Sequence, residues 1–191
     1  LPTYRARTDE SVADHLDFGA LDAFLAERDA TLLAKAHPKE SLDVPDDCSR
    51  VVSLPPATDP YPLLRHADAL VTDYSSAYVD FLALDRPIVF YPYDLDDYRA
   101  RRGFYLDYDA VTPGPVARTF EGLLDGLDRA LAEPDADAER RRAVRRRLLD
   151  ADPVRDGDAA VGQSDADEST APRSATVYDL IRARLGRAGE S

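Results

Sequence analysis

Short apolar runs alternate with longer amphipathic stretches over the first 150 residues of the chain. The apolar runs lie at 31–35, 51–54, 69–72 and 87–91, and in the last of them Ile88, Val89 and Phe90 follow one another directly. Unalternating apolar strands that are separated by helices are typical of a parallel sheet covered on both faces. We therefore expect these runs to be parallel strands of an α/β domain.

The amphipathic stretches predict helices around these strands. Leu16, Leu21, Phe24 and Leu25 share one helical face ahead of the first strand. Thr119 is placed to N-cap a long helix. The negative charge of Glu121 in the first turn of that helix interacts favourably with the positive end of the helix dipole. The order β-α-β-α-β-α predicts a doubly wound, Rossmann-like fold with helices on both faces of the sheet. The helices predicted after the first strand lie at 61–67, 75–84, 94–102, 119–133 and 135–150.

The composition changes beyond residue 151, where Asp, Ser, Gly and Pro predict a flexible acidic loop as far as 173. A last helix over 175–185 is then predicted by Val177, Leu180, Ile181 and Leu185, which recur at helical spacing. We expect three regions. They are a Rossmann-like domain over 1–150, the loop over 151–173, and a helix within 174–191 that packs on this domain or on a domain outside the chain.

The bulk composition restricts the possible functions. Asp and Glu number 37 against 24 Lys and Arg, for a net charge of −13, and only Lys35 and Lys39 are lysines. This acidic balance argues against sequence-independent nucleic-acid binding and favours a salt-adapted, archaeal-type source.

The single Cys48 excludes an internal disulfide and agrees with a reducing cytoplasm. No apolar run approaches the roughly 20 residues of a membrane span. The absence of Met indicates a piece of a longer protein.

Both lysines of the chain flank His37, directly after the first predicted strand. Open α/β sheets bind ligands at the carboxyl ends of their strands, and the compact charge of lysine suits phosphate groups. Lys35 and Lys39 are therefore candidate phosphate ligands. His37 could donate a hydrogen bond to a phosphate oxygen or stabilise a leaving group. A surface loop in which His37 only caps a turn is the alternative.

A second candidate anion site follows the strand at 69–72. Asp73, Tyr74, Ser75 and Ser76 lead into a helix whose first N–H groups carry partial positive charge. With the two serine hydroxyls, these N–H groups can hold a pyrophosphate. Ser and Asp are also common N-caps, so plain capping is the alternative. Asp80 lies five residues after Ser75 and is either a ligand of a ribose hydroxyl or a solvated acid.

Three other features carry weaker signals. The tyrosine-rich segment 91–105 could stack on a base or cover the edge of the core. The arginines of 140–147 could meet anionic lipid headgroups, but a helix face paired with neighbouring acids is the favoured interpretation. Asp94, Asp96 and Asp97 could bind a divalent cation, although acids are too common in this chain to be informative. No metal and no cofactor is predicted.

Taken in order, these segments resemble the CDP-glycerol glycerophosphotransferases, including the poly(glycerol phosphate) and poly(ribitol phosphate) polymerases of teichoic acid synthesis. The resemblance covers about residues 1–133 and the final helix, whereas 135–173 departs from the family pattern. The similar segments are Pro2-Thr3-Tyr4-Arg5, Lys35-Ala36-His37-Pro38, 69–80 with Asp73-Tyr74-Ser75-Ser76, 85–91, 93–95, Gly103-Phe104-Tyr105 and Pro113-Gly114-Pro115.

The resemblance implies the C-terminal, Rossmann-like half of a GT-B-type fold, which binds a CDP-activated alcohol such as CDP-glycerol. A hydroxyl of a cell-surface polymer or glycolipid would attack the glycerol-bearing phosphate, and CMP would leave. His37 would contact the donor pyrophosphate and assist CMP departure. Ser75 and Ser76 would hold the phosphates, and Arg5 would help to shape the site.

The resemblance also implies where the remaining parts lie. The family places a His-Gly motif, which is thought to supply the base, in an N-terminal domain that this sequence lacks. We therefore expect the chain to bind donor without turning it over. The expected location is the cytoplasm, peripheral on the inner face of the cell membrane. The salt-adapted composition leaves the identity of the acceptor open.

Two other functions remain compatible with the sequence. An ordinary GT-B glycosyltransferase or a sugar-nucleotide 2-epimerase uses a similar domain for UDP-sugars. Such enzymes are expected to show a Gly-rich loop or a Glu-rich sugar-contacting segment, and neither is seen here. A non-catalytic nucleotide-binding module is the other alternative.

Overall fold

The computed structural model describes residue 2 and the ranges 11–36, 42–55, 57–104 and 106–149. The loop and the helix expected beyond 151 lie outside these residues. Within the described ranges the strands are β1 (Leu32–Ala34), β2 (Val51–Ser53), β3 (Leu70–Thr72) and β4 (Ile88–Phe90). The helices there are α1 (Phe18–Glu27), α2 (Tyr61–Leu64), α3 (Ala77–Phe81), α4 (Leu95–Arg102), α5 (Tyr108–Val111), α6 (Phe120–Ala132) and α7 (Ala138–Leu148). Short 3-10 turns lie at Val12–His15 and Leu82–Leu84.

The described strands pair in parallel, as the uninterrupted apolar runs predict. β1 pairs with β2, and β3 pairs with β4. On the other side of β4, Phe90 forms a parallel bridge with Val116. Gly114 permits this close approach, because a Cβ atom there would lie 1.9 Å from the carbonyl oxygen of Ile88.

Successive residues of β4 enter different apolar clusters. Ile88 and Phe90 pack with residues of α3, α5 and α7, whereas Val89 packs with residues of α1 and α6. Helices therefore cover both faces of the β3–β4 pair, and the predicted α/β fold class with a parallel sheet is confirmed. The same cluster that holds Val89 also takes in Leu32 and Val51 from the β1–β2 pair.

The boundaries of several helices differ from the sequence prediction. Leu16 lies ahead of α1, because the Asp17 side chain caps that helix by accepting a 2.9 Å hydrogen bond from the N–H of Ala20. α2 ends at Leu64 instead of residue 67, and α3 begins at Ala77 because the preceding residues form the turn out of β3.

Other boundaries follow the local signals. The expected cap of α6 is present: the hydroxyl of Thr119 accepts a hydrogen bond from the N–H of Gly122 at 3.2 Å.

Among the described residues, no helix combines the length and the apolar character needed to cross a membrane.

The arginine run of α7 attaches this helix to the domain. Arg141 is only 2% exposed; its Nε lies 3.2 Å from Oδ1 of Asp85, and its Nη2 donates to the Asp85 carbonyl oxygen at 3.0 Å. Arg142 donates to Oδ2 of the same Asp85 at 2.7 Å. Arg140 donates to the carbonyl oxygen of Asp109 at 2.8 Å. These contacts agree with a helix face paired with its own domain.

Arg141 and Arg142 form a matched pair for mutation, because both bind Asp85 but only Arg141 is buried. We expect Arg141→Ala to lower the free energy of unfolding by about 3 kcal/mol, since it leaves a carbonyl group and a carboxylate without their buried donor. Arg142→Ala should cost less than about 1 kcal/mol, because exposed ion pairs contribute little. Urea unfolding followed by circular dichroism measures both values, and equal losses would contradict the argument from burial.

Candidate functional site

The carboxyl ends of three strands carry the residues that the sequence nominated. Lys35 directly follows β1, the segment Asp73–Ser76 follows β3, and the tyrosine-rich segment follows β4. Open α/β sheets bind ligands at the carboxyl ends of their strands; the described backbone hydrogen bonds join β1 to β2 and β3 to β4, as two separate pairs. His37, Lys39 and Arg5 lie outside the described residues, so their predicted roles stay predictions.

Lys35 is a buried cation, with 6% of its surface exposed. Its Nζ donates a 2.7 Å hydrogen bond to the neighbouring carbonyl oxygen of Ala36. No carboxylate of the described ranges forms an ion pair with it. A buried ammonium group without a counter-ion is unfavourable, and an anionic ligand at this position would offset that cost.

The turn after β3 presents two hydroxyl groups. Ser76 occupies the N-cap position of α3, yet its side chain makes no capping hydrogen bond and is exposed. The Ser75 hydroxyl accepts only a long hydrogen bond, 3.4 Å, from the N–H of Ala77. Capping therefore explains Ser75 weakly and does not explain Ser76. The Ser76 hydroxyl is open to a ligand from solvent.

Asp73 and Tyr108 fix the position of this turn. Asp73 is 2% exposed, and its Oδ1 accepts a hydrogen bond from the N–H of Tyr74. Tyr108 is 5% exposed and donates its hydroxyl to the carbonyl oxygen of Asp73 at 3.0 Å. Burial, reinforced by the charge of Asp73, raises the pKa of Tyr108, so the phenol stays protonated as a donor. The burial of Asp73 suits a residue that holds the turn in place.

Tyr74 connects the turn to α4. Its ring stacks on Tyr98, with the centroids 3.9 Å apart, and its hydroxyl donates to Oδ1 of Asp94 at 3.1 Å. Phe104 packs against both rings, at 5.6 Å from Tyr74 and 5.4 Å from Tyr98. Within the described residues, these aromatic side chains pack on one another and on the turn, which favours the covering role over the base-stacking role considered for them.

Asp80 lies on the exposed side of α3, one helical turn beyond Ser76. Its Oδ2 accepts a 3.2 Å hydrogen bond from the hydroxyl of Tyr61, the first residue of α2. Partial burial and then the charge of Asp80 raise the pKa of Tyr61, which keeps this hydroxyl a donor. Asp80 is thus exposed but paired, rather than a free solvated acid.

The acids considered as metal ligands point to different partners. Asp94 accepts from Tyr74, Asp96 pairs with Arg118 at 3.2 Å, and Asp97 lies 4.0 Å from Arg101. In the part of the chain that the structure describes, no three His, Cys, Asp or Glu side chains are grouped to hold a metal ion.

Sequence reasoning missed Tyr61, Tyr108 and the pairing of Asp94 with Tyr74. Tyr61 stood in the sequence only as the start of a helix before Pro62, and Tyr108 lies beyond the segment that had been considered for stacking. Nothing in the sequence distinguishes Asp94 from Asp96 and Asp97, because their partners lie on other elements. A tyrosine within a short amphipathic segment next to Asp107 was the available signal for Tyr108.

Known proteins match this chain over most of its length. A family model described as CDP-Glycerol:Poly(glycerophosphate) glycerophosphotransferase matches residues 1–161. The teichoic acid ribitol-phosphate primase of Bacillus spizizenii is 31% identical over 144 residues, which are 73% of this chain and 36% of that protein. The teichoic acid glycerol-phosphate transferase of Staphylococcus aureus is 53% identical over 62 residues, which are 32% of this chain and 16% of that protein.

Solved structures agree with these relatives. The wall teichoic acid polymerase TagF superposes with a TM-score of 0.60 at 29% identity, over 75% of this chain and 36% of the polymerase. A variant of TagF soaked with CDPG for 15 minutes gives a TM-score of 0.62 at 27% identity, over 75% of this chain and 37% of that one. The resemblance and the fold class predicted from the sequence are confirmed. The chain spans about a third or less of the length of these relatives.

The hydrogen bond from Tyr108 to the turn can be tested with a matched tyrosine. We expect Tyr108→Phe to lower the free energy of unfolding by about 1–2 kcal/mol, because the buried Asp73 carbonyl group loses its donor. Tyr78→Phe should change it by less than about 0.5 kcal/mol, since the buried Tyr78 makes no hydroxyl hydrogen bond within the described ranges. Urea unfolding of both variants provides the measurement, and similar losses would show that the hydrogen bond to Asp73 adds nothing.

Proposed function

We propose that this chain, which belongs to the CDP-glycerol:poly(glycerophosphate) glycerophosphotransferase family, binds a CDP-activated alcohol such as CDP-glycerol at the carboxyl edge of its sheet. One observation of the site carries the proposal. Lys35 is buried and has no carboxylate partner among the described residues, and the exposed hydroxyl of Ser76 caps nothing. The two residues follow β1 and β3, at strand ends of the kind where open α/β sheets bind ligands. In a member of this family, that combination fits a pyrophosphate.

In the proposed reaction, a hydroxyl oxygen of a cell-surface polymer or glycolipid attacks the alcohol-bearing phosphorus of the donor. A new oxygen–phosphorus bond forms, the bond to the CMP phosphate breaks, and the proton of the acceptor passes to a base. Negative charge grows on the CMP phosphate as the bond breaks. Fixed positive charge and N–H or O–H groups close to that phosphate lower the barrier, because they stabilise the transition state more than they stabilise the bound CDP-alcohol.

The roles of individual residues follow from their chemistry. Lys35 and Lys39 supply charge to the phosphates, and Ser75 and Ser76 donate hydroxyl hydrogen bonds to them. His37 contacts the pyrophosphate and assists CMP departure, either as a hydrogen-bond donor or as a general acid. Arg5 shapes the site from the start of the chain.

Asp73 and Tyr74 act one layer below the phosphates. Asp73 is buried beneath the turn, and Tyr74 is bound to α4 through its stacking on Tyr98 and its hydrogen bond to Asp94. Both residues therefore keep the Ser75 and Ser76 hydroxyls in one place. A site that is held in place before the ligand arrives loses less free energy to ordering on binding.

The whole reaction needs parts beyond the donor site. We place the base in an N-terminal domain, so that this chain alone binds donor without turnover. The names of the matched relatives refer to teichoic acid primases, transferases and polymerases, which favours an anionic polymer or its glycolipid primer as acceptor. The family resemblance implies that such an acceptor is extended at the inner face of the cell membrane. We therefore propose a peripheral location there, in the cytoplasm.

Isothermal titration of the chain in concentrated salt tests the donor class. We expect CDP-glycerol and CDP-ribitol to bind more tightly than UDP-glucose, with CMP weaker than either CDP-alcohol because it lacks the second phosphate. Preference for UDP-glucose would indicate the sugar-nucleotide alternative. No detectable binding of any of the four compounds would contradict the transferase proposal.

His37→Ala tests the phosphate role. Since hydrogen bonds to charged groups contribute about 1.5–3 kcal/mol, we expect CDP-glycerol to bind roughly 10- to 100-fold more weakly to this variant. Binding of cytidine should change less than about twofold, because cytidine has no phosphate. His66→Ala, which alters an exposed histidine after α2, is the matched control. Equal losses for CDP-glycerol and cytidine would count against the phosphate role.

A further inference from the structure

We infer that Tyr61 and Asp80 form the nucleoside end of the donor site, where the base stacks on the Tyr61 ring and Asp80 accepts hydrogen bonds from the ribose hydroxyls. The inference rests on the proposed function, since it requires a nucleotide donor whose phosphates lie at the turn after β3. It adds Tyr61 as the base-stacking residue beside Asp80, which the sequence had already indicated as a candidate ribose ligand.

Tyr61 is an exposed aromatic ring that has no aromatic neighbour among the described residues. It is 53% exposed, the largest fraction among the exposed large apolar side chains of the described ranges. The other tyrosines of those ranges each pack against at least one further ring there, whereas Tyr61 contacts no ring of the same ranges. An exposed ring face is a suitable platform for a nucleic base, because base–aromatic stacking needs only a free π-face.

The ring is exposed but held in one orientation. The Tyr61 hydroxyl donates to Oδ2 of Asp80 at 3.2 Å, and the Tyr61 N–H donates to Oδ1 of Asp59 at 3.0 Å. Pro62 stiffens the first turn of α2, and Leu64 anchors that helix in the core. A side chain that is already ordered loses little entropy when a ligand stacks on it.

The position of the pair matches the shape of a nucleoside diphosphate. Asp80 follows Ser76 by four residues, so the two side chains share one face of α3 with their Cβ atoms about 5–6 Å apart. The Tyr61 ring stands next to Asp80 through their hydrogen bond. Asp80 thus lies next to both Ser76 and Tyr61, as the ribose of the donor is joined to both the phosphates and the base.

Asp80 has the chemistry to recognise ribose. A carboxylate oxygen accepts more than one hydrogen bond, and only Oδ2 is engaged, by Tyr61, within the described residues. The remaining acceptor sites can take the ribose 2′- and 3′-hydroxyl protons. Because stacking is tolerant of base identity, this pair explains affinity for a nucleoside without selecting cytosine.

Titration of the full chain with CMP and with inorganic pyrophosphate tests the stacking role. We expect Tyr61→Ala to bind CMP roughly 5- to 100-fold more weakly, the range that loss of one stacked base gives, with pyrophosphate affinity unchanged. Tyr61→Phe keeps the ring and should stay within about threefold of the wild-type CMP affinity. Leu131→Ala, which alters an exposed residue of α6, is the control for a general surface effect.

The ribose contact is tested with Asp80→Asn and two ligands, CMP and its 2′,3′-dideoxy analogue. The wild-type chain should prefer CMP, and the preference should shrink in the variant because the amide is a weaker acceptor than the carboxylate. An unchanged preference would overturn the role of Asp80.

The outcomes separate this inference from the proposed function. Unchanged CMP binding by Tyr61→Ala, together with the expected effect of His37→Ala, would overturn the inference and leave the donor-binding function intact. Equal weakening of CMP and pyrophosphate by Tyr61→Ala would show a structural effect and also overturn it. If the wild-type chain binds neither CMP nor CDP-glycerol, the proposed function fails and the inference fails with it.

Discussion

Val89 has no exposed surface, and its neighbours in β4, Ile88 and Phe90, are buried against the opposite face of the same strand. Because apolar side chains fill both faces of the β3–β4 pair, polar groups can gather only where the strands end. The chain leaves β3 at Asp73 and β4 at Tyr91, and it does so at the same edge. Burial on both faces therefore places the turn after β3 against the aromatic segment after β4, and the candidate site depends on that meeting.

The turn itself is rigid because unrelated parts of the chain bind it. Tyr108 reaches its backbone from α5, and Tyr98 and Asp94 bind Tyr74 from α4 and its start. A helix as short as α3 gives little stability on its own, since short helices depend on tertiary packing. The serine hydroxyls owe their position to these contacts more than to the helix that follows them. Lys35 is a further buried polar residue, directly after β1.

Much of the fold could be predicted because a strand buried on both faces shows as an uninterrupted apolar run in the sequence. The apolar run from Ile88 to Phe90 predicted a strand covered on both faces, and Thr119 predicted the start of α6. The end of α2 could not be predicted, because the residues after Leu64 form i→i+3 turns and the distant Arg86 donates to the carbonyl oxygens of Arg65 and Ala67. At the site, Lys35 and Ser76 could be nominated from their places after strands. Tyr61 and Asp80 are 19 residues apart, and Asp73 and Tyr108 are 35 apart, so those pairings arise only when the domain closes.

The attachment of α7 has a consequence for a protein with a net charge of −13. At about 1 M salt the screening length shrinks to roughly 3 Å, and exposed ion pairs such as Arg118 with Asp96 lose most of their attraction. Arg141 is inaccessible to those ions, and one of its two contacts with Asp85 is to a backbone oxygen. The last helix of the described domain is thus held by a contact that dissolved salt barely reaches. The buried contact of Arg141 with Asp85 should therefore depend less on ionic strength than the exposed ion pairs do.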